Sequence, residues 1–452
     1  MLSLTLKYSI MVSKKLNSIV PVQINSVKRA DLIDYFQNSW LMTEYLFSSI
    51  KEVDSLYINP DPRRHPLIFY YGHVAAFYIN KLRSAGLYNE VINPTFENLF
   101  AVGVDPSTKD DLEKYGWPQY EKVVEFRSSI FDAIIGVINS DNLPSEINWD
   151  SPYWTILMSI EHERIHFETS SVLIRQYTAE LIRRPENWDY SIDRDFIPET
   201  GFVSIEGGEV KLGRPIGSQM YGWDNEYGEK TFSVKSFSVG KNLVTNDDYL
   251  EFVNAEGYNN PKFWSESGWN WIKEQSIEFP KFWERREDTF KFRAMFDIID
   301  MPGNWPVEVI AHEAEAYCKW KGNEYRLMTE AEWKRITDIY FVSPDHDFHD
   351  VQDANINFRF GSSSPVGYFG DKAPYDIIGN VWEILADDFK PLTGFKEHPY
   401  YKDFSLPYFG SEHGMMAGGS WASTGNSASR YYRLWFRRDF VQHAGFRLVK
   451  EI

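Results

Sequence analysis

The first constraint on this chain is a change of hydrophobic period near residue 185. Before it, apolar side chains recur every three to four positions, as on one face of an α-helix. After it they fall in short alternating runs among glycines and tryptophans, as in strands and loops. One layer of secondary structure cannot satisfy both periods, so the 452 residues divide into more than one domain.

Residues 30 to 183 predict four amphipathic helices. From Asp31, a residue type that caps helix N-termini, Leu32, Phe36, Trp40, Leu46, Phe47 and Ile50 form one stripe. A second helix opens at Pro66 in PLIFYYGHVAAFYINKL. A third carries Val123, Phe126, Ile130, Ile134 and Val137, and a fourth starts near Pro152 and runs past Leu181. This predicts a four-helix bundle over 26–185, preceded by a loose extension over 1–25 in which Met11 is an alternative start. The polar stretch RRPENWDYSIDRDFIPETG holds two prolines and loses the period, which places a linker at 186–200. Residues 201–452 predict an α+β domain with helices around TNDDYLEFVNA and HEAEAYCKWKG.

Charge and cysteine content narrow the function. A formal net charge of -18 opposes a broad phosphate-binding surface, so nucleic acid is not expected as a partner. The single cysteine, Cys318, permits neither an internal disulfide nor a thiolate-rich metal site, which fits a reducing compartment. The start, MLSLTLKYSIMVSKK, has only a short apolar run broken by Lys7, with neither a cleavage pattern nor the length of a membrane span. A cytoplasmic location is expected.

The chemistry concentrates in EHERIHFE, residues 161 to 168. His162 and His166 are four apart and share a helix face with Met158, Ile165, Thr169 and Leu173, the face expected to be buried. Glu168 lies off that stripe and would act only behind the ligands. On the second helix His73 stands between Phe69 and Phe77 at helical spacing and also points inward. A lone buried histidine is ordinarily a hydrogen-bonded core residue, but three on two helices make a metal site of the kind bundle cores house. Three imidazoles suit ferrous iron with open positions, and zinc accepts them too. The match to His-Glu-x-x-His raises a zinc peptidase, with Glu163 as base and Glu180 as the only further ligand on offer. A protein that binds without catalysis and keeps a structural metal is a third reading.

Several runs then resemble a known family. RRHPLIFYYGHVAAFYINKL, FENLFAVGVD and HERIHFETSSVLIRQ are similar to the DinB-like helical domain of the nonheme-iron sulfoxide synthases of thiol-histidine biosynthesis. FVSIEGGEVKLG, WDNEYGEKTFSVKSFSVGKNLVTNDDYLEFV, YRLMTEAEWKR, IGNVWEI, AGGSWAS and HAGFRLV look like the formylglycine-generating-enzyme, or sulfatase-modifying-factor, fold, a C-type-lectin-like α+β domain. The resemblance spans about 30 to 450 and is nearest to the ovothiol branch, the 5-histidylcysteine sulfoxide synthases.

The resemblance implies an Fe(2+) centre on His73, His162 and His166. It implies L-cysteine, L-histidine and O2 as substrates. It also implies a catalytic tyrosine in FKEHPYYKDFSLPYFG: Tyr401 when matched backward from Ser405, Tyr400 when matched forward from Phe395. Formylglycine-generating chemistry needs reactive cysteines, and none lies between GGSW and the C-terminus. Ile165 stands where ergothioneine-pathway members carry a polar Gln that helps hold trimethylhistidine, and RLWFRRDFVQHAGFR lacks the acidic-then-Arg spacing of γ-glutamylcysteine users. Both departures favour unmodified histidine and free cysteine, while Asp439 stands about where the ovothiol pattern carries a histidine, a departure from that pattern. Arg437 and Gln442 are candidates for carboxylate recognition, because arginine pairs with carboxylates through two parallel hydrogen bonds. With no Gly-rich loop for S-adenosylmethionine in the sequence, methylation of the product is expected either to fall to a separate methyltransferase or not to occur.

Overall fold

The computed structural model describes residues 16–103, 114–340 and 353–452. The extension expected over 1–25 falls largely outside these residues, as do the last two residues of FENLFAVGVD. The chain forms two compact units. One comprises Met1–Trp188 with Gln219–Tyr221 and Met295–Asp297; the other comprises Asp189–Ser218, Gly222–Ala294 and Ile298–Ile452.

The first unit is helical: α1 Arg29–Phe47, α2 Leu67–Ser84, a short α3 Pro94–Leu99, α4 Tyr120–Ile138 and α5 Trp154–Arg175. Pro66 is the N-cap of α2, where its missing N–H costs nothing. Asp31 is not the cap of α1; Lys28 holds that position, and Asp31 sits in the first turn, where its charge opposes the positive end of the helix dipole. The fourth long helix stops at Arg175 instead of running past Leu181. Tyr177 leaves the helix and donates its hydroxyl to the carbonyls of Ser55 and Ile58, both at 2.7 Å.

Helix α2 packs against both α4 and α5, and α1 packs against the same two. Their contact is polar as well as apolar. Arg127 of α4 lies between the rings of Trp40 and Tyr71, 4.1 Å from each centroid, and its Nη2 pairs with Glu44 Oε1 at 2.7 Å. Its Nη1 donates to the Tyr71 carbonyl at 2.6 Å, and the Tyr71 hydroxyl returns to Glu44 Oε2 at 2.7 Å.

The second unit is α+β. Its strands are β1 Phe202–Ile205, β2 Gly208–Leu212, β3 Lys230–Val234, β4 Phe237–Gly240, β5 Trp283–Arg286, β6 Thr289–Arg293, β7 Ile298–Asp300, β8 Trp382–Phe389, β9 Gly410–Ala417, β10 Leu434–Arg437, β11 Ala444–Gly445 and β12 Val449–Glu451. They form sheets ordered β1-β4-β12, β10-β9-β8-β11, β2-β3 and β5-β6-β7. All pairings between these strands are antiparallel except β11 with β8. The alternating run KTFSVKSFSVG therefore supplies two strands to different sheets: β3 pairs with β2, and β4 lies between β1 and β12. Ile205, Phe237, Val239, Trp333, Leu385, Met415 and Val449 belong to one buried core.

Among the described residues four helices accompany these sheets: α6 Asn246–Asn254, α7 Glu266–Gln275, α8 Ala311–Lys321 and α9 Glu330–Tyr340. The sequence reading anticipated α6 and α8. It missed α9, although TEAE is a start signal: the Thr329 amide donates to Glu332 Oε2 at 2.9 Å and the Glu332 amide to Thr329 Oγ1 at 3.2 Å. It missed α7 as well, because only Gly268 and Ile272 of that helix are buried and its apolar stripe is thin. Among the described residues no helix is long and apolar enough to cross a membrane.

Replacing Arg127 with Leu would leave Glu44 without its cation and should destabilise the helical unit by about 3 kcal/mol. A lower urea midpoint in the far-ultraviolet helix signal is expected; an unchanged midpoint would show that the pair contributes nothing.

Candidate metal centre

His73 comes from α2, and His162 and His166 from consecutive turns of α5. All three are buried, at 7%, 3% and 7% exposure. One nitrogen from each ring lies within 4.8 Å of the other two. The Nε2 atoms of His162 and His166 face each other at 3.1 Å. Adjacent nitrogen ligands at about 2.1 Å from a metal ion stand roughly 3 Å apart, so this spacing suits a shared cation. Among the described residues this is the one group of three or more His, Cys, Asp and Glu side chains so arranged.

The orientation of His73 follows from its partner. Its Nδ1 lies 2.6 Å from the carbonyl oxygen of Phe100. A carbonyl has no proton to give, so Nδ1 carries the proton and Nε2 keeps the lone pair a metal needs. Aromatic walls surround the imidazoles: Phe77 stacks on His162 with centroids 3.5 Å apart, Phe69 lies 4.9 Å from His73, and Tyr70 lies 5.9 Å from His166.

Burial governs their charge. Desolvation pushes the His73 imidazole down to about 4, against a smaller upward pull from its bond to Phe100. His162 and His166 are driven well below the usual histidine range, first by burial and then by neighbouring imidazoles. All three are neutral near pH 7, the form that ligates metal.

Helix α5 is buried almost all round, not on one stripe. Ile165 and Thr169, expected on the inner face, are its partly exposed positions beside the histidines. Glu163 is fully buried on another side of α5 and accepts from the Tyr78 hydroxyl at 2.9 Å, so it is committed away from the histidine face. Glu180 is exposed in a short 3-10 turn, and neither it nor Glu168 joins the three-nitrogen group. A peptidase would need one of these acids at the metal, and none is there.

The second unit places the other sequence candidates. His398, Pro399, Tyr400 and Tyr401 form a turn closed by the Tyr401 amide on the His398 carbonyl at 2.9 Å. Tyr401 packs edge-on to Trp223 at 6.4 Å and against Phe404 at 5.3 Å, and Trp223 stacks on Phe404 at 4.0 Å. The Tyr401 ring is partly exposed overall, yet its hydroxyl end is desolvated, which pushes its ionisation well above the ordinary tyrosine value. Tyr400 is partly exposed and lies 5.7 Å from His398. The turn is anchored where Ser405 Oγ donates to Asp224 Oδ1 at 2.5 Å and accepts from Asn225 Nδ2 at 3.0 Å.

Arg437 ends β10, exposed and opposite His413 of β9, whereas Gln442 stands partly exposed in the loop before β11. They occupy separate elements. Cys318 is buried in α8, and burial pushes its thiol up to about 12, which makes it inert at neutral pH. Sequence reasoning missed the Phe100 carbonyl, since no side-chain pattern marks a backbone acceptor.

With this geometry established, comparison with known proteins gives consistent findings. Residues 192–452 match the family described as Sulfatase-modifying factor enzyme 1-like domain, and residues 35–170 match the DinB superfamily. The chain is similar to the hercynine oxygenase of Mycolicibacterium smegmatis, 28% identical over 344 residues that cover 69% of this chain and 74% of that protein. It is similar also to ergothioneine biosynthesis protein 1 of Schizosaccharomyces pombe, 22% identical over 92% of this chain and 55% of that protein. A formylglycine-generating enzyme of Mycobacterium tuberculosis is 26% identical over 42% of this chain and 75% of that protein. The chain thus spans about three quarters of the first relative and little more than half of the second.

The imidazole shifts set a pH dependence. Each folded-state value lies below the unfolded value of about 6.5, so the unfolded chain takes up protons first as pH falls. Metal-free stability from these groups is present above pH of about 6.5 and is lost progressively toward pH 4 and below. The melting temperature of the metal-free protein should fall between pH 7 and pH 5, and His166→Gln should flatten that fall; an equal slope in the variant would contradict it.

Proposed function

Because the chain belongs to the Sulfatase-modifying factor enzyme 1-like family and carries a DinB-superfamily domain ahead of it, we propose that it is an iron(II)- and O2-dependent sulfoxide synthase. The reaction joins the sulfur of cysteine to a ring carbon of histidine and oxidises the sulfur to 5-histidylcysteine sulfoxide. The balance closes. One S–H and one ring C–H are lost, one C–S and one S–O bond form, and the four electrons released reduce O2 to the sulfoxide oxygen and one water. The observation that carries this reading is the group of three buried neutral imidazoles with no carboxylate among them.

His73, His162 and His166 would hold the iron, which supplies one-electron chemistry toward O2 and favours the thiolate of a bound cysteine. The protein's share is orientation and exclusion of water. Phe69, Tyr70 and Phe77 wall the imidazoles, and the Phe100 carbonyl holds the His73 tautomer. Tyr401 is the proposed proton source: its hydroxyl stays protonated in its desolvated setting, and Trp223 and Phe404 hold its ring. Tyr400, partly exposed beside His398, is the weaker candidate. Arg437 and Gln442 are proposed contacts for substrate carboxylates.

Unmodified histidine is the proposed imidazole donor, because Ile165, partly exposed beside His166, offers no hydrogen bond to a polar substrate group. The alternative is an ergothioneine-type synthase acting on trimethylhistidine, favoured by the names of the two relatives above.

Anaerobically purified protein given Fe(II), cysteine, O2 and either histidine or trimethylhistidine should yield, by mass spectrometry, a cysteine–histidine adduct carrying one added oxygen with histidine. An adduct with trimethylhistidine alone would select the alternative, and none with either would end the synthase reading. Tyr401→Phe should lower sulfoxide formation about 100-fold and divert cysteine to its sulfinic acid, while Tyr400→Phe keeps the product ratio. Unchanged ratios in both variants would remove the tyrosine assignment.

A further inference from the structure

The hydrogen bond from His73 to the Phe100 carbonyl has a built support on the same helix. Two to three turns beyond His73, α2 carries Asn80 and Arg83, and both clamp α3. Asn80 Nδ2 donates to the Glu97 carbonyl at 3.2 Å, and Arg83 Nη1 to Glu97 Oε2 at 2.8 Å. Glu97 Oε1 accepts the amides of Ile92 and Asn93 at 2.9 and 3.1 Å, which fixes the start of α3. Phe100 is the C-cap of that helix and is fully buried. Its ring lies 6.2 Å from those of Trp117 and Phe126, nearly parallel to both.

Gly72, the residue before His73, meets the same ring. A Cβ at Gly72 would lie 2.5 Å from two Phe100 ring atoms. The position does not need glycine for its backbone, since it lies inside α2 without a positive φ. Glycine inside a helix is less favourable than alanine. What that cost provides is room for the ring.

We propose that Gly72 and Phe100 form a positioning latch for His73. The missing side chain admits the Phe100 ring, the seated ring fixes the carbonyl, and the carbonyl holds the imidazole with Nδ1 protonated and Nε2 free to ligate. The role in ligation rests on the reading of the three histidines as a metal centre; the control of the tautomer does not.

The test uses the full metal-free chain, titrated with Co(II) as a spectroscopic probe, together with 15N imidazole shifts for His73. Wild type should show the Nδ1–H tautomer. Gly72→Ala and Phe100→Ala should each mix the tautomers and weaken Co(II) binding about tenfold or more, the loss typical when the partner of a ligating histidine is removed. The double variant should be no weaker than the worse single one, because both substitutions break one contact. Folded single variants that keep the tautomer and the Co(II) affinity would overturn the latch, as would fully additive losses. If Gly72→Ala fails to fold, Phe100→Ala alone decides by the same two readouts. If wild type takes up no Co(II), the metal-centre reading fails, and the 15N shifts still decide whether Phe100 sets the tautomer.

Discussion

Three imidazoles share a space from which water is largely excluded, and that desolvation shapes much of the helical unit. A proton on any of them would be a charge without solvent, beside two more rings able to accept one. The rings therefore stay neutral, with lone pairs directed at common ground. Neutral donors without an acid among them can bind a cation only if their orientation is supplied from outside the group. For His73 that supply is a backbone carbonyl, which cannot ionise and so holds the Nδ1–H tautomer while the imidazole is neutral.

The charges elsewhere on α5 serve the same geometry. Glu161 accepts from the Tyr35 hydroxyl, Glu163 from Tyr78, and Arg164 donates to Ser18 and Asn38 while lying over the Tyr35 ring. Glu161 and Arg164, three apart on one side of α5, reach α1 and the segment before it, and Glu163 reaches α2. A rotation of α5 by one residue, about 100°, would break all of them and leave buried charges unpaired. An apolar helix could slide or turn at little cost. This one has a single setting, and in that setting His162 and His166 face His73.

The second unit applies the same device to a loop. Arg214 and Glu226, both fully buried, pair at 2.8 Å, and Asn426 binds the other Glu226 oxygen at 2.6 Å. That pair fixes the segment carrying Trp223, Asp224 and Asn225, which in turn grips Phe404 and Ser405. Tyr401 thus stands on the segment between β8 and β9, which is held at both polar and aromatic points.

Much of this was legible from residue order. The 3.6-residue period exposed the long helices, the alternating runs marked strands, and the four-residue spacing of His162 and His166 put both on one face, because these patterns are local consequences of backbone geometry. His73 could be suspected from its flanking Phe69 and Phe77. Helix ends were less legible: α5 stops at Arg175 because Tyr177 finds carbonyls more than a hundred positions away in sequence. The buried face of α5 was misjudged for the same reason, since the partners of Glu161, Glu163 and Arg164 lie on other elements. Only the tertiary structure decided that three imidazoles converge, that a carbonyl orients one of them, and that Tyr401 packs against Trp223 and Phe404. Those facts depend on contacts between residues far apart in the chain, and no period or spacing within one segment encodes them.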